Sequence, residues 1–511
     1  MRRSNIFVRF AIGSVTLLTT ASAAAETKEI GPGDDVGAAI NALKPGDELL
    51  LRGGTYTFTS RFGLTVKGTA AQPIVVRAKP NEHPVFHRPN ASQNVVDLDD
   101  VEHLTFRGIE WKGGSHGIRM IKARFVTIED CEVHETADVG ISANVTGPYE
   151  GLKILHNEVH HTGGTGEGMY LGCNANSCQM FDSLIAGNHV HHTNGPTVEQ
   201  GDGIEIKEGS YNNVVRDNVI HDTNYPCILS YSVAGNGGPN IIERNVMWSC
   251  GDHAIQSAAD AVIRNNIILS SGSDGIAMQP HQSGAPANLV VVHNTILKAS
   301  NSAIRARGIT GSVLIANNAV YAQGGSAINV AGSLDGLVVQ GNVGVGGLTG
   351  TGAGLATGNI ENDFVSAGYG GAPPMDVFTK AGSALLTAGN ATHVVADDFE
   401  GRPRKGVADV GAYAFAAGPP SWPITADFKS PVASPAPSGD GGTDGGPSGG
   451  SSSGAVDGDT GSGPTGNGAT PSGADGDGDG CQSAAGPIAP SHAAVFPLLV
   501  AAGVLLIRRR R

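Results

Sequence analysis

The chain has 511 residues, 75 of them Gly, and a formal net charge of −14 with only 16% charged side chains. Such an acidic surface repels nucleic acid, so no nucleic-acid partner is expected, and it repels polyanionic sugars overall. Six cysteines without CxxC or Cys/His zinc spacing exclude a zinc finger and place stability in a core.

In chain order, Arg2, Arg3 and Arg9, the apolar run 10–18 and the small residues 21–25 predict a secretory signal peptide over 1–25. Its apolar run is too short to span a bilayer. Residues 26–92 read as a cap. Residues 34–43 form a capped amphipathic helix, Pro45-Gly46-Asp47 turns into a strand over 48–56, and 73–77 is another strand.

Residues 93–345 repeat. A β-branched run ends in Asp130, Asn157, Asn188, Asn218, Asn245, Asn266, Asn294, Asn318 and Asn342, at spacings of about 21 to 31 residues. A second mark keeps the same rhythm: Gly140-Ile141, Gly168-Met169, Gly203-Ile204, Cys227-Ile228, Ala254-Ile255, Gly275-Ile276, Ala303-Ile304 and Ala327-Ile328. Two or three short strands per repeat describe one coil of a right-handed parallel β-helix, an all-β solenoid. The repeated Asn would form an inward ladder from coil to coil. Missing Leu patterning excludes leucine-rich repeats, and the period is too short for a propeller. The spacing allows Cys173–Cys178 and Cys227–Cys250 disulfides and leaves Cys131 a buried thiol.

Residues 346–416 close the solenoid. Residues 417–480, mostly Gly, Ser, Pro, Thr, Ala and Asp, read as a disordered stalk. Within it, 475–480 matches the start of a calcium loop, but the twelfth position is Gly486 rather than Glu. In 481–511, Cys481 precedes the apolar stretch 493–507 and Arg508 to Arg511, a stop-transfer pattern with its positive end cytoplasmic. No oligomerisation signal appears, so a monomer is expected.

Two constellations carry chemistry. His134, His160, His191 and His221 follow the repeat Asn or Asp, succeeded by Trp248, Leu269, Leu297 and Tyr321; Thr136, Thr162, Thr193 and Thr223 run alongside. Equivalent residues stack, so a His column is predicted. It is either a packed turn ladder or a zinc- or copper-class site. The second constellation surrounds the strand 204–206. Alternation sends Ile204 and Ile206 inward and Glu205 and Lys207 outward. Aligning coils places Glu205 between Tyr170 and Leu229 with Gln256 beyond, and Lys207 beside Tyr231. Glu167, Asp202, His253 and Asp274 precede their marks. Lys207 is then either catalytic or a solvated lysine paired with Glu205 or Glu208.

The cap and the closing motifs around 381–385, 398–404 and 409–413 resemble those of secreted β-helix polysaccharide-active proteins, over about residues 26–416. Asp202-Gly203-x-x-x-Lys207 resembles a stretch of some pectate lyases, and Lys207-x-x-Ser210 resembles the Lys-Ser element of chondroitinase B-like lyases. The resemblance implies a polysaccharide lyase acting by β-elimination on uronic acids. Lys207 would be the base, Asp202, Glu205 and Glu167 would hold calcium, and Tyr170, Tyr231, His253 and Gln256 would contact the glycan. The Asp-Asp-Gly-x-Asp cluster expected one coil later is instead Asn224-Tyr225-Pro226-Cys227. The Arg-His pair of the chondroitinase group is Ser230-Tyr231-Ser232. The tail resembles the myxobacterial C-terminal sorting signal, which implies export and anchoring at the outer membrane surface. A non-catalytic glycan-binding or adhesive surface protein is the alternative.

Overall fold

The computed structural model describes residues 25–282, 284–297 and 299–430. The expected signal peptide, the stalk beyond 430 and the sorting tail lie outside them. No helix among the described residues is long and apolar enough to cross a membrane.

The chain winds into an all-β parallel solenoid. One coil shows the plan: Val214–Arg216 lies in the first sheet, Val219–Thr223 in the second and Ile228–Ser230 in the third, before Asn240–Glu243 returns to the first. The first sheet stacks 13 strands, from Thr27–Ile30 to Leu337–Gln340. The other two rows merge because the strand Ala319–Ala331 runs through both. At the start, the helix α1, Val36–Asn41, is capped by Asp35 and covers the first coil with Val36 and Ile40.

The Gly-Ile mark sets the third-sheet register. Ile141, Met169, Ile204, Ile228, Ile255, Ile276, Ile304 and Ile328 are successive partners, all fully buried. The small residue before them is a packing requirement. A Cβ on Gly168 would stand 2.7 Å from the Gly203 carbonyl oxygen and 2.6 Å from Val190.

The predicted ladder forms. From Asn157 to Asn342 each Asn Nδ2 donates to the next Asn Oδ1 at 2.9–3.0 Å. The chain enters each turn through a left-handed residue, such as Asp217 (φ 58°), Arg244 (56°) or Asn265 (54°). This corrects the expected first rung. Asp130 is that left-handed residue (φ 53°), and the ladder position is Cys131, whose N–H donates to Asn157 Oδ1 at 3.0 Å. A shorter ladder joins Ser183, Asn213 and Asn240. Asn245 makes four such bonds with no water access. Asn245→Ala strands a buried N–H and a buried carbonyl, so a loss of about 3 kcal/mol is expected in denaturant unfolding, against under about 1 for an exposed control such as Asn301→Ala.

The disulfides are Cys173–Cys178 and Cys227–Cys250; Cys131 is free and buried, its thiol pushed up to about 11 by burial. The closing segment folds back along the outer face of the second sheet. Phe364, Leu385, Phe399 and Trp422 pack there on Val246, Trp248, Leu269, Leu297 and Tyr321. Packing runs past the boundary expected at 417. Lys429 is 3% exposed; its Nζ donates to Asp217 (2.8 Å) and to the carbonyls of Arg244 (3.0 Å) and Phe399 (2.6 Å).

Candidate active site

The strand Ile204–Ile206 occupies the middle of the third sheet. Its outward Glu205 pairs with Tyr170 on one side and Leu229 on the other, and Gln256 follows. The same row holds Arg119 and Ser142 before Tyr170, and Ala277 and Arg305 after Gln256. Lys207 leaves the strand toward a turn that packs against Gly172. Gly172 has φ 97°, and a Cβ there would meet Ser210 Oγ at 2.5 Å and Lys207 Cβ at 3.1 Å.

Lys207 Nζ donates to Glu205 Oε1 at 2.9 Å and lies 4.1 Å from the Tyr231 ring centroid and 5.2 Å from that of Tyr170. It is not a solvated surface lysine. Lys207 is 3% exposed and Glu205 2%. Loops of other coils supply the cover. His281 stacks on Tyr231 at 4.9 Å, and Gln282, its amide turned to donate to Glu208 Oε2 (2.8 Å), stands 3.2 Å from the Tyr231 hydroxyl.

Glu167, Asp202 and Glu205 converge, with one oxygen from each lying within 4.8 Å of the others. Four of their buried oxygens lack a hydrogen-bond partner: Glu167 Oε1, both of Asp202, and Glu205 Oε2. Burial first, and then mutual repulsion, pushes Glu167 up to about 7 and Asp202 well above the usual carboxylate range. Glu205 is raised by burial and held down by Lys207. One ammonium faces three carboxylates, so the cluster is short of positive charge. An all-oxygen donor set of this kind suits calcium, which takes six to eight oxygens.

The other expected contacts separate into two groups. Tyr170 is half-buried at the cluster, its hydroxyl donating to Asn174 Oδ1 at 3.1 Å. Tyr231 lies beneath the cover, its hydroxyl 3.2 Å from Glu205 Oε1. His253 and Gln256 belong to a second network, which Pro226 separates from Asp202. Arg305 Nε reaches Asp274 at 2.9 Å, the Asp274 N–H donates to His253 Nδ1 at 3.1 Å, and Gln279 bridges Gln256 (3.0 Å) and Arg305 (3.0 Å). His253 and Gln256 are 4% and 5% exposed, about as buried as Lys207.

The predicted His column stacks in the second sheet. Rings of His134, His160, His191 and His221 follow at 5.0, 4.9 and 5.2 Å, and Trp248 caps them at 4.5 Å. The Thr column closes the adjoining turns, as where Thr193 donates to the Gly201 carbonyl at 2.7 Å. Sequence reading missed the neighbouring column two residues earlier, Glu110, Glu132, Glu158 and His189. Period-two alternation puts both columns on one face. Burial holds His189 down at about 3, so its ring is neutral.

Residues 17–260 match the family model described as Pel9A-like, right handed beta helix region. Pectate lyase PEL9 of Emericella nidulans is 24% identical over 306 residues, covering 52% of this chain and 68% of that protein. Among solved structures, pectate lyase Pel9A covers 76% of this chain and 96% of its own, with 16% identity and a TM-score of 0.48. The complex of XylC with xylose covers 76% and 98%, with 9% identity and a TM-score of 0.52, a likeness of fold.

Proposed function

We propose that this Pel9A-like β-helix is a polysaccharide lyase that cleaves a uronic-acid-containing glycan by β-elimination. One observation carries the reading: a buried lysine, held by Glu205 between two tyrosines, stands beside three carboxylates whose oxygens lack partners. A related pectate lyase supports the reaction class.

With His281 and Gln282 displaced by the incoming glycan, Lys207 Nζ takes the proton from C5 of the uronic acid. The C–H electron pair forms the C4–C5 double bond, the C4–O bond breaks, and the leaving oxygen is protonated from water. Glu205 fixes the position of Nζ, and the Tyr170 and Tyr231 rings exclude water from it. Glu167, Asp202 and Glu205 would hold calcium. When bound, it would neutralise these carboxylates and that of the substrate, releasing Lys207 from its counter-ion role and acidifying the C5 proton. Arg119 lies three strands, about 14 Å, along the outward row from Glu205 and makes no ion pair among the described residues. It offers a polyanion a local attraction that the net charge does not. The signal peptide and sorting tail expected from the sequence would place this activity at the outer surface.

The test is ultraviolet absorbance of the unsaturated product, using purified protein with pectate, alginate and glycosaminoglycans. Calcium-dependent product on one polyuronate, abolished by chelator, is the expected result. No product on any polymer would overturn the reading in favour of a glycan-binding or adhesive scaffold.

A further inference from the structure

We infer that Glu158, His189 and His191 form a zinc-class metal site on the second sheet, joining adjacent coils and distinct from the carboxylate cluster of the third. The strand Glu158–His160 pairs in parallel with His189–Thr193, so Glu158 stands opposite His189 and His191 lies two residues on, on the same face. Glu158 Oε1 is 3.0 Å from His191 Nε2 and 3.7 Å from His189 Nδ1. The three ligand atoms lie within 4.8 Å of one another. Tetrahedral zinc, with bonds near 2.0–2.1 Å, spaces its ligands about 3.3 Å apart.

The contacts around the three groups leave a place for a cation between them. His221 Nδ1 stands 2.7 Å from Asp222 Oδ2 and donates to it. His189 Nε2 stands 2.9 Å from His221 Nε2, so that edge of the His189 ring is engaged by His221. On the other edge, His189 Nδ1 faces Glu158 Oε1 across 3.7 Å, too far for a hydrogen bond, beside a ring whose side chain is 7% exposed. A cation between nitrogen and carboxylate would bind both.

The surroundings match what a metal-bound imidazole needs. His189 donates its other N–H into a His221–Asp222 relay, the outer support that orients ligating histidines. His191 becomes a ligand by moving its proton from Nε2 to Nδ1, while His192, whose Nδ1 lies 2.6 Å away, moves its own proton to Nε2 and accepts. Both tautomers are neutral, so no proton is lost. Glu158 is 36% exposed and leaves a fourth position open to water, while Phe428 shields His189 from one side at 5.8 Å. The preceding coil holds a different trio, with His160 on the next strand and His134 on Glu132's own strand at 3.1 and 3.7 Å from Glu132, and there His134 Nε2 is already 3.0 Å from Glu110. Its nitrogen is committed, which singles out the Glu158 coil.

The experiment uses untagged protein with excess calcium to occupy the carboxylates. Zinc is measured by calorimetric titration, and cobalt(II) by its visible spectrum. One zinc per chain and intense tetrahedral cobalt bands are expected. His189→Ala should lose both, His221→Ala should weaken zinc by about 10- to 100-fold, and His134→Ala should bind as the parent does. If His189→Ala does not fold, the half-exposed Glu158→Gln decides, and it too should lose the bands. No retained zinc, or zinc unaffected by His189→Ala or Glu158→Gln, would overturn the site. Lyase activity need not change in any of these variants, so the two readings stand or fall separately.

Discussion

Lys207→Ala should eliminate unsaturated-product formation, with kcat falling by about 10³-fold or more, the scale of a positioned general base. The variant also removes the only cation beside Glu205 among the described residues, and an uncompensated buried carboxylate costs about 3–5 kcal/mol. Loss of activity alone would therefore not separate a base from a counter-ion. Lys207→Arg makes the separation. It keeps the positive charge against Glu205, but a guanidinium does not give up its proton at working pH. The expected pattern is a destabilised Lys207→Ala, a Lys207→Arg of near-parental melting temperature, and no product from either. Turnover by Lys207→Arg within tenfold of the parent would remove Lys207 from the chemistry and leave it a structural cation.

The carboxylate cluster should make stability depend on pH in an unusual direction. Glu167, Asp202 and Glu205 hold protons in the folded chain at pH values where an unfolded chain has released them. Their contribution is fully present below the ordinary carboxylate value near 4.5 and is lost as pH rises through the folded value, about 7 for Glu167. For Glu167 alone the loss is on the order of 3 kcal/mol. Buried neutral histidines such as His189 and His253 titrate in the opposite sense, so the cluster's contribution is read as the melting temperature of the parent minus that of a Glu167→Gln, Asp202→Asn variant, and in chelator that difference should fall between pH 4.5 and 7.5. Calcium should reverse the trend, because it competes with the protons and binds best where they have left; at 1,000 times its dissociation constant it adds about 4 kcal/mol. A Glu167→Gln, Asp202→Asn double variant should lose both the slope and the calcium response. A parent-minus-variant difference that is flat in chelator and that calcium does not shift would refute the cation site.

The fold was legible because a solenoid writes its register in repetition. The Asn of each coil and the small residue before Ile204 or Ile276 mark positions that only the neighbouring coil can explain. The slip at Asp130 has a physical reason. A left-handed residue precedes each ladder Asn, Asp tolerates that conformation, and Cys131 hid the true rung. Within the site, alternation along one strand located Glu205 and Lys207, and coil alignment added Glu167 and Asp202. Their burial was illegible, because His281 and Gln282 arrive from a loop some 50 residues beyond Tyr231. His189 escaped because its column changes from Glu to His and then to Val219. The apolar Trp248, Leu269, Leu297 and Tyr321 continuing the His column were the signal that the closing segment covers that face, and sequence patterning did not identify what covered it.

The seat of Lys429 decides how the molecule responds to pulling. Tension on the chain beyond residue 430 first meets three Nζ hydrogen bonds, two of them to Asp217 and Arg244, and the Phe399 ring 3.6 Å below. The load thus arrives at the waist of the solenoid, and the terminal coil is not unzipped rung by rung. The closing segment must tear away before any coil is pulled from its neighbour. Because Phe428 stacks on His156 at 4.2 Å and flanks His189, the first displacement would also bare the imidazole face, coupling mechanical strain to that surface.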